Sequence, residues 1–346
     1  MKLETEGNHS ELKLKSSSDE NKKTKINKIL KIIGYIITFA SVLYILWHGY
    51  ENWNRITSIF SFKNTWQGIL YAAFFYTAMF LLIALAWKII ITSLNGKITF
   101  KNSFIIYGRS NIAKYIPGNV FHFVGRGLMC REIGINANIV INGIFLETLL
   151  LVIATGLIAI PSLIIYGTEK IAFLNTNRII FIVVVIIILL IAIAICIKFI
   201  PFFKTWLIKR NLLIDTGTIS FKTIIKSSIF AIIIYFFYYG FVSLILFYLS
   251  NYFWLLNLKQ FFIFLGAYSL GWLLGFITPG APGGLGVREA VITGFLTPFL
   301  GASRALILAL VFRLITIFGD FLFFLVAYIL NLKKSGNSQE LKLKNL

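Results

Sequence analysis

Residues 179–197 read IIFIVVVIIILLIAIAICI, nineteen apolar residues without a polar interruption. A helix of about 20 residues, rising about 1.5 Å per residue, crosses a hydrocarbon layer about 30 Å thick. The run does not alternate, so it is not a barrel strand. The remainder of the chain is of the same kind: it is 58% hydrophobic and only 13% charged over 346 residues, and its mean hydropathy is +0.85. The sequence therefore describes an all-α polytopic membrane protein.

Uninterrupted apolar spans cover about 29–48, 69–93, 138–166, 179–198, 227–249 and 303–331. Two further segments, 101–133 and 261–300, are membrane-like but broken, the first by YIPGNVFHFVGR and the second by TPGAPGGLGVREA. The expectation is about six full transmembrane helices plus two re-entrant or broken-helix segments, eight membrane segments in all. A single transmembrane domain would occupy 29–331, with halves at about 29–166 and 179–331. Residues 1–28 would form a disordered basic cytoplasmic tail, and 332–346 a second cytoplasmic tail.

Basic residues orient the chain. Residues 1–31 carry eight Lys, 95–135 six Lys or Arg, 198–226 six, and the segment after 331 four, against five in the remaining connections. Lys and Arg gather on the cytoplasmic side of spans, which puts both termini there and the protein in the cell (cytoplasmic) membrane. Segment 101–133 would then dip in from the cytoplasm and 261–300 from outside. That makes the second half an upside-down copy of the first, an inverted repeat of the kind transporters use. Pro117-Gly118 precedes Arg126 by the same offset at which Pro279-Gly280 precedes Arg288.

The net charge of +20 lies mostly outside the spans, so topology and anionic lipid explain it better than nucleic acid does. Cys130 and Cys196 suggest neither a disulfide framework nor a zinc site, and His9, His48 and His122 are scattered. No metal or cofactor is expected. Trp47, Trp53, Trp66 and Trp254 near outer span ends, and Trp87 and Trp206 near inner ones, fit interfacial belts; Trp272 lies within a span. Gly271 and Gly275, with Gly266 before them, read as close helix packing. The aromatic YFFYYG at 235–240 reads as lipid or core contact.

Both breaks have a physical use. A helix interrupted at membrane depth leaves backbone groups unpaired, at several kcal/mol each in hydrocarbon, unless protein or a wet cavity surrounds them. Gly283, Gly284 and Gly286 let backbone approach a ligand closely. A helix starting near Val287 would aim free N–H groups at the break, which suits an anion, and Arg288 adds a bidentate donor. In the first break Lys114, Tyr115, Asn119, His122 and Arg126 put polar groups on a short segment. Arg126, Arg288, Gly283, Gly284, Gly286, Tyr115 and His122 are therefore the candidate lipid-headgroup site. A solvent loop, or an amphipathic helix lying on the inner leaflet, is the plainer alternative.

Four ionisable residues sit within or beside apolar spans. Glu147 and Arg313 lie near the midplane of theirs, and Asp320 lies two turns from Arg313 on the same face. With Glu289 they form the expected intramembrane charge network, because charges at such depth need partners or water. Similar depth makes Glu147–Arg313 the expected pair.

No nucleotide-binding loop G-x-x-x-x-G-K-[ST], no H-E-x-x-H and no G-x-S-x-G occurs. KYIPGNVFHFVGR followed by PGGLGVREA resembles the lysylphosphatidylglycerol synthase transmembrane region, a flippase-like integral membrane family, over roughly 30–331. Tyr115, Pro117, Gly118, Gly125 and Arg126 match its first motif, and Pro282, Gly283, Gly284, Gly286, Arg288 and Glu289 its second. The resemblance implies a polytopic protein that moves or modifies phospholipids or polyprenyl-linked lipids. Only fifteen residues follow 331, so the lipid-handling half is expected without the soluble aminoacyl-transferase domain of bifunctional members.

The function expected is a lipid flippase or transporter moving an anionic, aminoacylated or polyprenyl-linked lipid between leaflets. The alternatives are an integral-membrane transferase component using His122, Glu289 or Asp320 as acid or base, and a scaffold for a separate transferase enzyme. The expected partners are membrane lipids and not nucleic acid.

Overall fold

The computed structural model describes residues 65–116, 120–162, 221–253, 260–278 and 281–344, and positions 43, 47 and 50 besides. The expected spans at 29–48 and 179–198, the basic tail and both Pro-Gly pairs lie outside the described residues or almost wholly so. Every regular element among the described residues is helical. These are α1 (Thr65–Ser93), α2 (Phe100–Asn111), α3 (Phe121–Glu132), α4 (Ala137–Ser162), α5 (Phe221–Phe253), α6 (Phe261–Ile277), α7 (Val287–Leu300) and α8 (Ala302–Lys344). One-turn 3₁₀ segments, Ile112–Tyr115 and Pro282–Gly284, follow α2 and precede α7.

Four stretches are long and apolar enough to cross a membrane: Trp66–Ser93, Ala137–Ser162, Lys222–Asn251 and Ala302–Leu332. They match four of the expected spans, although α8 stays helical beyond the expected end at 331. The two broken segments are built from shorter pieces. With α2 and α3 at 12 residues each, each reaches about 18 Å, short of a hydrocarbon layer of about 30 Å. The 17 residues of α6 and 14 of α7 reach about 25 and 21 Å. Each broken segment thus contains two short helices with a one-turn 3₁₀ segment between them.

The long helices carry apolar side chains on both faces. On α5, Tyr235, Tyr239, Val242 and Leu246 are buried while Ile229, Phe236, Phe237 and Phe241 are exposed. Such an apolar exterior is stable only against lipid. The run 235–240 therefore divides between core and lipid. Inside, α5 packs along α1, α6 lies against α7, α4 and α5, and α8 runs past α7, α2 and α1. Phe80 of α1 stacks on Phe323 of α8 with centroids 4.4 Å apart.

Small residues allow the short helices to seat closely. A Cβ on Gly108 of α2 would stand 2.5 Å from Cβ of Ala327 on α8, and one on Gly271 of α6 would stand 3.3 Å from the Arg288 carbonyl oxygen of α7. The first broken segment is thereby held against α8 and the two halves of the second against each other. Both joints come together, with the Tyr115 ring beside Gly283.

Candidate functional site

At this meeting point lies a cavity of about 90 Å³. Its wall is formed by Tyr76, Phe80 and Ile83 of α1, Tyr107, Asn111 and Lys114, His122, Phe123 and Arg126 of α3, and Glu147, Thr148 and Leu151 of α4. Tyr238 and Tyr239 of α5, Trp272 and Phe276 of α6, Gly283 and Arg288 complete it. The space holds a few waters or a small anionic group.

The first joint is fixed by Asp320 of α8. The chain leaves α2 in a tight 3₁₀ turn that carries Lys114 and Tyr115. The Asp320 carboxylate accepts from the Asn111 amide at 2.9 Å and from the Tyr115 hydroxyl at 2.5 Å. Its second oxygen also lies 2.8 Å from the Lys114 ammonium. A carboxylate only 1% exposed is thus surrounded by three donors, which is what a charge at this depth requires.

Two turns earlier on α8, Arg313 fixes the second joint. Its Nε lies 3.0 Å from Glu289 Oε1, and its Nη2 donates to the Gly283 carbonyl at 3.2 Å. Gly283 (φ 58°), Gly284 (φ 73°) and Gly286 (φ 81°) all adopt left-handed backbone, which residues with a Cβ adopt only under strain. Three N–H groups of this stretch are bonded within the chain. Gly284 donates to the Ala281 carbonyl, Leu285 to that of Pro282, and Gly286 to the Glu289 carboxylate at 2.6 Å. Glu289 therefore reaches back from the first turn of α7, as in half of a capping box. At this helix start the chain's own carboxylate caps the Gly286 N–H.

The expected Glu147–Arg313 pair does not form. Arg126 Nη1 donates to Glu147 Oε2, and both side chains are 2% exposed or less. The guanidinium carbon lies 3.9 Å from the Tyr107 ring centroid and 4.7 Å from that of Trp87. Depth along a helix did not decide the partner, because α3 brings Arg126 beside α4 while Glu289 lies nearer to Arg313. Trp87 is likewise not an interfacial anchor: it is fully buried beneath Arg126. Trp66, 57% exposed, keeps a position an interfacial residue would have.

Arg288 differs from these. Its guanidinium lies 5.9 Å from the Trp272 ring centroid, yet no carboxylate pairs with it among the described residues. Its buried Nε has no hydrogen-bond partner. The side chain runs between two glycines: a Cβ on Gly275 would stand 2.6 Å from Arg288 Cγ, and one on Gly284 2.6 Å from Nε. Gly275 therefore admits the arginine as well as bringing helices together. Arg126 and Arg288, the two arginines at matching offsets in the sequence, face one cavity, one neutralised and the other not.

Tyr115, His122, Arg126, Glu147, Gly283, Gly284, Gly286, Arg288, Glu289, Arg313 and Asp320 thus all line this cavity or join the network beside it. Sequence reasoning did not single out Tyr107, Asn111 or Trp272 as members. A signal for the first two was present: α2 is short and polar for a membrane helix, and its buried face includes Ser103, Tyr107, Ser110 and Asn111. Among the described residues, no three His, Cys, Asp or Glu side chains are grouped to hold a metal ion.

No curated protein sequence matches the chain. A family model does, over residues 31–323, a range that contains both broken segments and every residue of the network. The chain is a multi-pass membrane protein and belongs to the lysylphosphatidylglycerol synthase TM region family.

Proposed function

We propose that this protein carries a lipid headgroup across the membrane through the cavity between its two broken helices, while the lipid chains remain in the bilayer. The observation that supports this most is Arg288. It is half-buried and has no carboxylate partner among the described residues; a cation so placed among apolar helices is expensive, and such residues typically mark a substrate path. Three further cations in the same network are each held by a carboxylate, so structural pairing accounts for them and leaves Arg288 for a ligand. The two halves are read as an inverted repeat with both termini cytoplasmic, which suits alternating access around a central site. Consumption of lipid on one face, by a separate soluble transferase or another enzyme, would give the movement direction.

The family relationship favours a second reading, a membrane component of a headgroup-transferase system. The candidate acid–base residues Glu289 and Asp320 are tied to Arg313 and Lys114, which suits them less to proton transfer. Reconstitution in liposomes with headgroup-labelled lipids tests both readings. The flippase reading expects accelerated transfer between leaflets, slowed by Arg288→Gln. No acceleration for any lipid would refute it, and a new lipid species on mass spectrometry would favour the transferase.

A further inference from the structure

We infer that Glu147 is a proton-binding site, and that each phosphate-bearing headgroup crossing the cavity takes one proton with it, so that a pH difference across the membrane drives the movement. The inference rests on the transport reading above and supplies its coupling ion.

Among the described residues three carboxylates are buried, and two of them are fully occupied. Glu289 gives Oε1 to Arg313 and Oε2 to the Gly286 N–H. Asp320 gives Oδ1 to Asn111 and Oδ2 to Tyr115 and Lys114. Glu147 gives Oε2 to Arg126, while its Oε1, also buried, has no hydrogen-bond partner. Of the three, Glu147 is also the one that lines the cavity. A buried carboxylate oxygen without a donor is costly while the group is charged. A proton can be added there without displacing a bond already made.

The surrounding groups suit that exchange. From α3 come Arg126 and, one turn before it, His122, whose Nδ1 is buried and likewise unpartnered. An imidazole can receive a proton and pass it on. Tyr107 of α2, Lys114 in the turn after it, and Tyr76 of α1 reach the same cavity. So do Tyr238 and Tyr239 of α5, with Tyr235 one turn earlier on the same buried face. Trp272 and Phe276 of α6 do not titrate, and α7 presents Arg288.

Two penalties tie the proton to the headgroup. A phosphate entering the cavity meets the Glu147 carboxylate, and the like charges repel. A proton arriving alone takes the counter-charge from Arg126, whose side chain is 2% exposed, and strands that cation. Arriving together they cancel both: the proton removes the repulsion, and the phosphate replaces the counter-charge. Hydronium gives its proton to Oε1 and leaves as water. An O–H bond forms, Glu147 becomes neutral, and Arg126 stays a guanidinium. On the other face the acid returns the proton to water, and the ion pair re-forms as the headgroup leaves. Only the charge of Glu147 changes, so the coupling does not depend on the net charge of the wall.

The test uses the full-length protein in phosphatidylcholine vesicles with a trace of phosphatidylglycerol carrying a fluorescent acyl chain. Dithionite quenching reads the fraction in the outer leaflet. One proton per lipid makes the two leaflets differ about tenfold per pH unit, the lipid gathering on the alkaline side. Nigericin in potassium medium collapses the gradient and should restore an even distribution. In weakly buffered detergent near neutral pH, a pH indicator should report about one proton taken up per phosphatidylglycerol bound. Both readings are made on the native protein, so a variant that folds poorly does not decide them. Glu147→Gln should abolish the uptake and the response to the gradient, and Glu147→Asp, which keeps a carboxylate, should retain both. No uptake by the native protein, or uptake that persists in Glu147→Gln, would overturn the inference. Transfer faster than in protein-free vesicles that stays evenly distributed under the gradient would overturn it too, and would leave the transport reading standing. Proton uptake on binding without any leaflet transfer would refute the transport reading and keep Glu147 as the proton site.

Discussion

Replacing Glu147 with alanine would remove the counter-charge of Arg126 and little else. In the native protein the Glu147 side chain is 1% exposed and that of Arg126 2% exposed. The stack of the guanidinium on Tyr107 and Trp87 would survive the substitution, so it does not offset the loss. Removing one member of a buried ion pair costs about 3–5 kcal/mol, because the other charge is left uncompensated. The double variant Glu147→Ala/Arg126→Met has no such charge. It should recover most of the loss, less about 2 kcal/mol for the desolvated cation–π contacts that leave with Arg126. Reversible unfolding in mixed micelles, followed by tryptophan fluorescence, measures both values, and Trp87 reports locally. A single variant costing under about 1 kcal/mol, or a double variant costing the sum of both singles, would refute the reasoning.

Three further outcomes are expected from the same unfolding measurement. Asp320→Ala strands Lys114, Tyr115 and Asn111 and should cost about 3–5 kcal/mol, with Asp320→Asn milder because it retains an acceptor. Gly283→Ala puts a Cβ at φ 58° and 3.1 Å from the Tyr115 ring, and should cost more than about 1 kcal/mol. Gly108→Leu drives a side chain into Ala327 at the α2–α8 contact and should cost about 1–3 kcal/mol through overpacking.

Continuous features of the chain were readable from its sequence. The apolar runs at 69–93, 138–166 and 227–249 correspond to α1, α4 and α5 with margins of a few residues, because a helix in lipid needs only length and apolarity. The breaks were readable for the complementary reason: glycine-rich sequence at membrane depth has few structural uses. Partner choice was not readable. Periodicity gives the depth of Arg313 and Glu147 and the face each occupies on its own helix, but not which neighbour that face meets. The pairing with Arg126 depends on how α3 docks against α4, a tertiary matter. The close approach of Trp87 to Arg126 was hidden for the same reason, since proximity to a span end looks alike for an interfacial and a buried tryptophan. The glycines stand out in the sequence, but the side chains they admit, Arg288 and Tyr115, could be seen only in the fold.

The central claim is that the space between the broken helices is a hydrated headgroup site and not a sealed core. Thiol labelling at Thr148, a half-buried residue of α4 that lines the cavity, tests it most directly. Cys130 and Cys196 would first be replaced by alanine and Thr148 then by cysteine. Methanethiosulfonate reagents react with thiolate, which forms readily only where water reaches. The account predicts labelling by a small water-soluble reagent in liposomes, and protection of the thiol when phosphatidylglycerol is added. A thiol that resists labelling under every lipid condition, in protein that retains native unfolding, would contradict it.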